Sequence, residues 1–121
     1  MNKVAIVTGG SKGIGLGIVK EFLSKNINVL VVARNKKSLI EIKSNYNKDN
    51  IEILEGDVSD KDLPEKALNI VLSKWGRVDI LVNNAGGPPA DSFLNHNDDV
   101  WMSAYETSLM SVVRFTRKIV P

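Results

Sequence analysis

The strongest constraint in this sequence is a cluster of glycines set between two apolar patterns of different period. Thr8-Gly9-Gly10-Ser11-Lys12-Gly13-Ile14-Gly15 follows the β-branched run Val4 to Val7 directly. Such a run, ended by Thr8-Gly9-Gly10, reads as a short buried strand and the turn after it. From Ile14 the apolar positions Ile14, Ile18, Val19, Phe22 and Leu23 recur at helical spacing, with Lys20, Glu21 and Lys25 on the other side, so the break opens a helix. Gly9 suits a tight turn, Gly13 removes a side chain where a pyrophosphate would approach the backbone, and Gly15 lets the helix press on the sheet. Free amides and the helix dipole at such an end attract phosphate. A glycine-rich connection without a ligand is the alternative. A P-loop fits less well, because no Gly-Lys-Ser/Thr triplet stands at the helix start.

The rest of the chain repeats the strand-then-helix pattern. Val29 to Ala33 is a second continuous apolar run, followed by Leu39, Ile42 and Tyr46 at three- and four-residue steps. Ile51 to Leu54 is a third strand, and Asp60 to Lys74 a third helix that tolerates Pro64 in its first turn and ends at Gly76. Val78 to Val82 is a fourth strand without alternation, as in strands covered on both faces. Asn83 to Asn97 reads as loop, and a final helix runs from Asp98 to Pro121 through Val100, Trp101, Ala104, Leu109, Val112, Val113, Thr116 and Ile119. Four strands alternating with four helices predict an α/β fold: a Rossmann-type parallel sheet with right-handed crossovers and helices on both faces. Ligands on such sheets sit beyond the carboxyl ends of the strands, where strand order reverses, here between the first and fourth strands.

Composition removes several function classes. At 121 residues a single domain over residues 1–121 is expected, and 43% apolar with 25% charged residues argues against disorder. A net charge of +2, with sixteen basic residues spread among fourteen acids, gives no basic stripe for nucleic acid. There is no cysteine and one His, so neither a disulfide framework nor a metal site is expected. The five-residue apolar run at the start is too short for a signal peptide or membrane span, and a cytoplasmic location without membrane attachment is the expectation.

Three segments together resemble one family. TGGSKGIG at Thr8 to Gly15 matches the TGxxxGxG signature of short-chain dehydrogenases, and Asn83-Asn84-Ala85-Gly86 matches the family's NNAG element. Gly56 to Asp60, GDVSD, is similar to the segment whose Asp meets the adenine amino group. The similarity runs along the whole chain and looks most like the 3-oxoacyl-carrier-protein reductase group. It implies that Gly9, Ser11, Gly13, Ile14 and Gly15 hold pyrophosphate and ribose. By the same carry-over, Asp57 and the backbone of Val58 hold adenine, and Asn83, Asn84, Ala85 and Gly86 line the ribose and nicotinamide side. Asp57 is alternatively a turn residue, and Asn83 a bond between neighbouring strands.

An acid at the end of the second strand would select NAD by binding both ribose hydroxyls. Here Ala33 stands there, followed by Arg34, and Lys12 lies in the glycine loop. Two cations placed to meet a 2′-phosphate favour NADP(H); solvated surface charges are the alternative. The resemblance further implies an oxidoreductase about twice this long, acting on a small carbonyl or alcohol substrate as a homo-oligomer that buries its final helix between subunits. Its catalytic Ser and Tyr-x-x-x-Lys pair are expected beyond residue 121, which leaves the fourth strand as an edge. Tyr46 is followed four residues later by Asn50, and Tyr105 by Leu109. The chain alone is therefore expected to be inactive, with a non-catalytic NADP-binding or assembly module as the alternative. Ser108 aligns with the Asn of the family's proton relay, and His96 in its loop carries no expected role.

Overall fold

A computed structural model of the chain describes residues 2–10, 13–84 and 111–119. Four strands, β1 (Val4–Thr8), β2 (Asn28–Ala33), β3 (Ile51–Glu55) and β4 (Ile80–Val82), form one parallel sheet in the order β3-β2-β1-β4. Helices α1 (Gly13–Ser24), α2 (Lys36–Ser44), α3 (Leu63–Trp75) and α4 (Ser111–Ile119) are interleaved with them or follow. The predicted α/β class, the alternation and the parallel sheet are all present.

The continuous apolar runs have the expected cause. β1 lies between β2 and β4 with Val4, Ala5, Ile6 and Val7 fully buried, and successive residues feed opposite faces. Val4 and Ile6 join Leu30, Val32, Leu63, Ala67, Val71 and Phe115 on the face covered by α3 and α4. Ala5 and Val7 join Val19, Val29, Val31, Leu39 and Ile42 on the face covered by α1 and α2. Each such aliphatic side chain contributes about 1.5–3 kcal/mol by leaving water, so both faces are needed to hold the central strands.

Several boundaries differ from the sequence reading. β4 begins at Ile80 and not at Val78, because the Asp79 carboxylate takes the Val4 amide at 2.8 Å where the ladder would supply a backbone carbonyl. α3 begins at Leu63. Asp60, Lys61 and Asp62 instead form a turn closed by the Asp60 amide on the Asp57 carbonyl at 2.8 Å and by Asp62 N–H on Asp60 Oδ1 at 2.9 Å. Its far end is as expected: Gly76 adopts φ 75° and donates to the carbonyls of Val71 and Leu72.

On α4 Arg114, Phe115 and Ile119 face inward while Val113 and Thr116 are exposed, so of the predicted stripe Ile119 packs against the core and Val113 and Thr116 do not. The reason is helical phase: Phe115 and Ile119 are one turn apart, and Val113 and Thr116 share the opposite side. Residues 98–110 of the predicted final helix, with Ser108, and the loop holding His96 lie outside the described residues.

Candidate cofactor-binding site

Because all four strands run the same way, their carboxyl ends bring together Thr8-Gly9, Ala33-Arg34, Gly56-Asp57 and Asn83-Asn84 along one edge of the sheet. Strand order reverses between β1 and β4, as predicted, and the glycine loop lies there.

The end of β1 is bonded directly to the end of β4. Thr8 Oγ1 accepts from the Asn84 amide at 2.9 Å and donates to the Val82 carbonyl at 3.3 Å, and Asn84 Nδ2 donates to the Gly9 carbonyl at 3.2 Å. Two glycines are required by this closeness. Gly9 has φ 65°, and a Cβ there would lie 1.9 Å from the Asn84 carbonyl oxygen. A Cβ on Gly15 would lie 2.2 Å from the Gly9 oxygen and 2.5 Å from Asn84 Nδ2. Gly15 thus lets the start of α1 press on the glycine loop and Asn84 rather than on a strand of the sheet. Among the described residues, a Cβ at Gly13 would meet nothing within 4 Å, so none of them occupies the space beside the start of α1.

That first turn contains no acid, so none of its own side chains offsets the positive end of this 12-residue helix. Ile14, read in the sequence as part of the apolar face, is 79% exposed instead. It lies one residue into α1, beyond the ends of the strands that cover Val19.

On the other side of β1 lie the two residues assigned to adenine and Arg34, one of the two cations assigned to a 2′-phosphate. Asp57 Oδ1 accepts from the Ser59 amide at 3.0 Å and from the Ser59 hydroxyl at 2.9 Å, so Asp57 is a turn residue, one of the two roles open to it. The carboxyl is held below the usual carboxylate range chiefly by the Ser59 amide, against a smaller opposing effect of burial, with the Ser59 hydroxyl and the Arg34 charge adding to the lowering. Val58 packs its side chain into the core, which leaves its backbone for a ligand. Gly56 N–H donates to the Ala33 carbonyl at 2.9 Å and ties this turn to the end of β2. Arg34 is exposed immediately after Ala33, and the next residue, Asn35, caps α2 through its side chain on the Ser38 amide at 3.1 Å.

Of the predicted site residues, Gly9, Gly13, Ile14, Gly15, Arg34, Asp57, Val58, Asn83 and Asn84 therefore stand along one edge of the sheet. Ser11, Lys12, Ala85 and Gly86 lie outside the described residues. Thr8 was missed as a site residue; the signal was a hydroxyl ending an otherwise wholly apolar strand. Among the described residues, the room beside Gly13, the acid-free first turn of α1 and the polar groups at the strand ends fit a dinucleotide.

The comparisons agree with this geometry. The short chain dehydrogenase family profile matches residues 3–121. Dehydrogenase/reductase SDR family member 4 of Caenorhabditis elegans is 33% identical over 98% of this chain and 47% of its own length. The 3-oxoacyl-acyl-carrier-protein reductase FabG of Chlamydia muridarum is 34% identical over 93% of this chain and 46% of its own. The crystal structure of L-sorbose reductase from Gluconobacter frateurii, complexed with NADPH and L-sorbose, superposes with a TM-score of 0.89 at 32% identity, over 99% of this chain and 47% of that one. This chain spans about half the length of the relatives it matches. With the sheet order, the glycine loop and the profile match in agreement, the chain belongs to the short-chain dehydrogenase/reductase family.

Proposed function

We propose that residues 1–121 are the NADP(H)-binding part of an oxidoreductase that reduces a carbonyl or oxidises an alcohol on a small-molecule substrate. The observation that carries this reading is the start of α1, where no described residue lies within 4 Å of a Cβ at Gly13, the first turn holds no acid, and the Thr8–Asn84 bonds close the site behind. The nicotinamide would supply the hydride chemistry when bound. The chain's own residues hold it: α1 amides face the phosphates, the Asp57 turn and the Val58 backbone face the base, and Asn83 and Asn84 stand on the nicotinamide side. Choice of NADP(H) over NAD(H) rests on Ala33, which leaves no carboxylate at the end of β2, and on Arg34 exposed beside it. The L-sorbose reductase solved with NADPH supports the same choice.

Proton transfer is assigned to a Ser and a Tyr-x-x-x-Lys pair outside these residues, since none of the sequence supplies that pair. A second copy of the chain is the proposed partner for the outward side of α4, where Val113 is exposed. Among the described residues no helix is long and apolar enough to cross a membrane, and a cytoplasmic setting is proposed with the rest. Sequencing past codon 121 and titrating the encoded protein with NADPH and NADH tests the reading. An in-frame Ser and Tyr-x-x-x-Lys with tight NADPH binding is the expected result. A stop codon would favour a non-catalytic binding or assembly module, and failure to bind either nucleotide would overturn the assignment.

A further inference from the structure

A charged side chain on α4 is buried against the turn on the adenine side. Arg114 keeps 8% of its surface exposed, and its Nη1 donates to the Ser59 carbonyl at 3.0 Å. That carbonyl belongs to the peptide joining Ser59 to Asp60. The N–H of the same peptide donates to the Asp57 carbonyl at 2.8 Å. One peptide plane is thus held at both ends, and a cationic donor on its oxygen polarises the amide and strengthens the bond on the other side.

The turn closed in this way is the one whose Ser59 amide and hydroxyl hold Asp57 Oδ1 at 3.0 and 2.9 Å. The neighbouring side chain on α4, Phe115, is fully buried in the same core cluster as Val58. α4 therefore approaches the turn through two adjacent residues, one in the core cluster that holds Val58 and one bonded to the backbone just after it. Burying a guanidinium costs desolvation that an apolar side chain of similar size would avoid. Among what the guanidinium supplies, and an apolar replacement cannot, is a donor to Ser59.

We propose that Arg114 is a positioning residue for the adenine edge of the site, fixing the Ser59–Asp60 peptide and through it the Asp57 carboxylate and the Val58 backbone. The proposal rests on the cofactor reading above and extends the site to a residue of α4, outside the glycine loop and the strand ends.

The test uses the full polypeptide that carries this chain, as wild type, Arg114→Met and Arg114→Lys. Each is titrated calorimetrically with adenosine 2′,5′-bisphosphate and, separately, with reduced nicotinamide mononucleotide, and amide exchange is followed without ligand. Arg114→Met is expected to weaken the adenosine ligand about 10-fold, the scale of one hydrogen bond to a charged group, while leaving the nicotinamide ligand within about twofold. The Asp60 amide should exchange faster with β1 amides unchanged, and Arg114→Lys, which keeps a charged donor, should fall between. Should Arg114→Met not fold, Arg114→Lys carries the same ligand comparison. Equal weakening of both ligands, an unchanged adenosine affinity or an unchanged Asp60 amide would overturn the role of Arg114 alone. A wild type that binds neither ligand would overturn the cofactor reading, and the role of Arg114 with it.

Discussion

The hydroxyl of Thr8 and the amide of Asn84, 76 positions apart in sequence, meet at 2.9 Å and join the carboxyl ends of β1 and β4. The same hydroxyl returns a bond to Val82, and the Asn84 side chain reaches the Gly9 carbonyl, so the glycine loop is anchored from behind before any ligand arrives. Thr8→Val keeps the volume and removes the hydroxyl, leaving the Asn84 amide without its acceptor. The expected loss is about 1–3 kcal/mol of stability. Gly15→Ala would place a methyl 2.2 Å from the Gly9 oxygen and 2.5 Å from Asn84 Nδ2, both atoms of that anchor. Overpacking of this kind costs about 1–3 kcal/mol, and here it displaces the loop that would face phosphate. Thermal melts and NADPH titration check both, with Gly15→Ala losing more affinity than Thr8→Val for a similar loss of melting temperature.

Arg34 decides the proposed preference between nicotinamide cofactors. It is exposed, follows a strand end without a carboxylate, and lies close enough to Asp57 for its charge to act there. NADPH is expected to bind more tightly than NADH by on the order of 100-fold, one or two charge-assisted contacts' worth. Arg34→Ala should reduce NADPH affinity far more than NADH affinity in a competition assay. Equal affinities in the wild type would remove Arg34 from the phosphate role.

The order of elements and the two-faced sheet were legible because Val4 to Val7 and Val29 to Ala33 are unbroken apolar runs, which only a strand covered on both faces requires. Motif and spacing placed the glycine loop, Asp57 and Asn84 at the carboxyl ends of the strands, where the structure has Gly9, Asp57 and Asn84. What was not legible depends on contacts between distant residues. Nothing local announces that Asp79 will replace a ladder carbonyl at Val4, or that Thr8 will receive the Asn84 amide. Periodicity alone put Ile14 inside and left Arg114 and Phe115 unremarked. The first projects past the strand ends and the other two face the core, a matter of helix phase and position relative to the sheet.

Acid should destabilise the fold through three carboxylates. Asp79 is held below the ordinary carboxylate range first by the Arg77 side chain and then by the Val4 amide, and Asp57 by Ser59 as described. For Glu52 burial works upward, but the Lys43 ammonium at 2.8 Å, the Ile53 amide and Lys74 at 3.3 Å outweigh it and leave it lowered. A group depressed in the folded state binds fewer protons there than in the unfolded chain, so stability rises with pH across its titration. The contribution is fully present above the ordinary carboxylate value of about 4 and is lost as pH falls through the depressed values. Melting temperature against pH should therefore decline on the acid side. Glu52→Gln should melt below the wild type at neutral pH, and the gap should close in acid. A gap that stays constant down to the acid limit would mean that Glu52 is not depressed in the folded protein.

The last prediction concerns turnover by the 121-residue chain alone. Hydride transfer to a carbonyl leaves an oxyanion that must receive a proton, and a positioned acid contributes typically 10²–10⁴-fold to such a step. The sequence has two tyrosines, and neither is followed four residues later by lysine. Tyr46 packs beside the α2-side core cluster, on the turn before β3 and away from the carboxyl ends of the strands. Asp57 stands at the proposed cofactor edge, but its carboxyl is lowered further from neutrality. The chain is expected to bind NADPH without oxidising it in the presence of a panel of ketones, followed by absorbance of the reduced nicotinamide. Fusion to a segment that supplies Ser and Tyr-x-x-x-Lys should restore turnover. Sustained NADPH oxidation by the purified, sequence-verified chain would show instead that a proton donor lies within these 121 residues, with Tyr105 and Ser108 the first to replace.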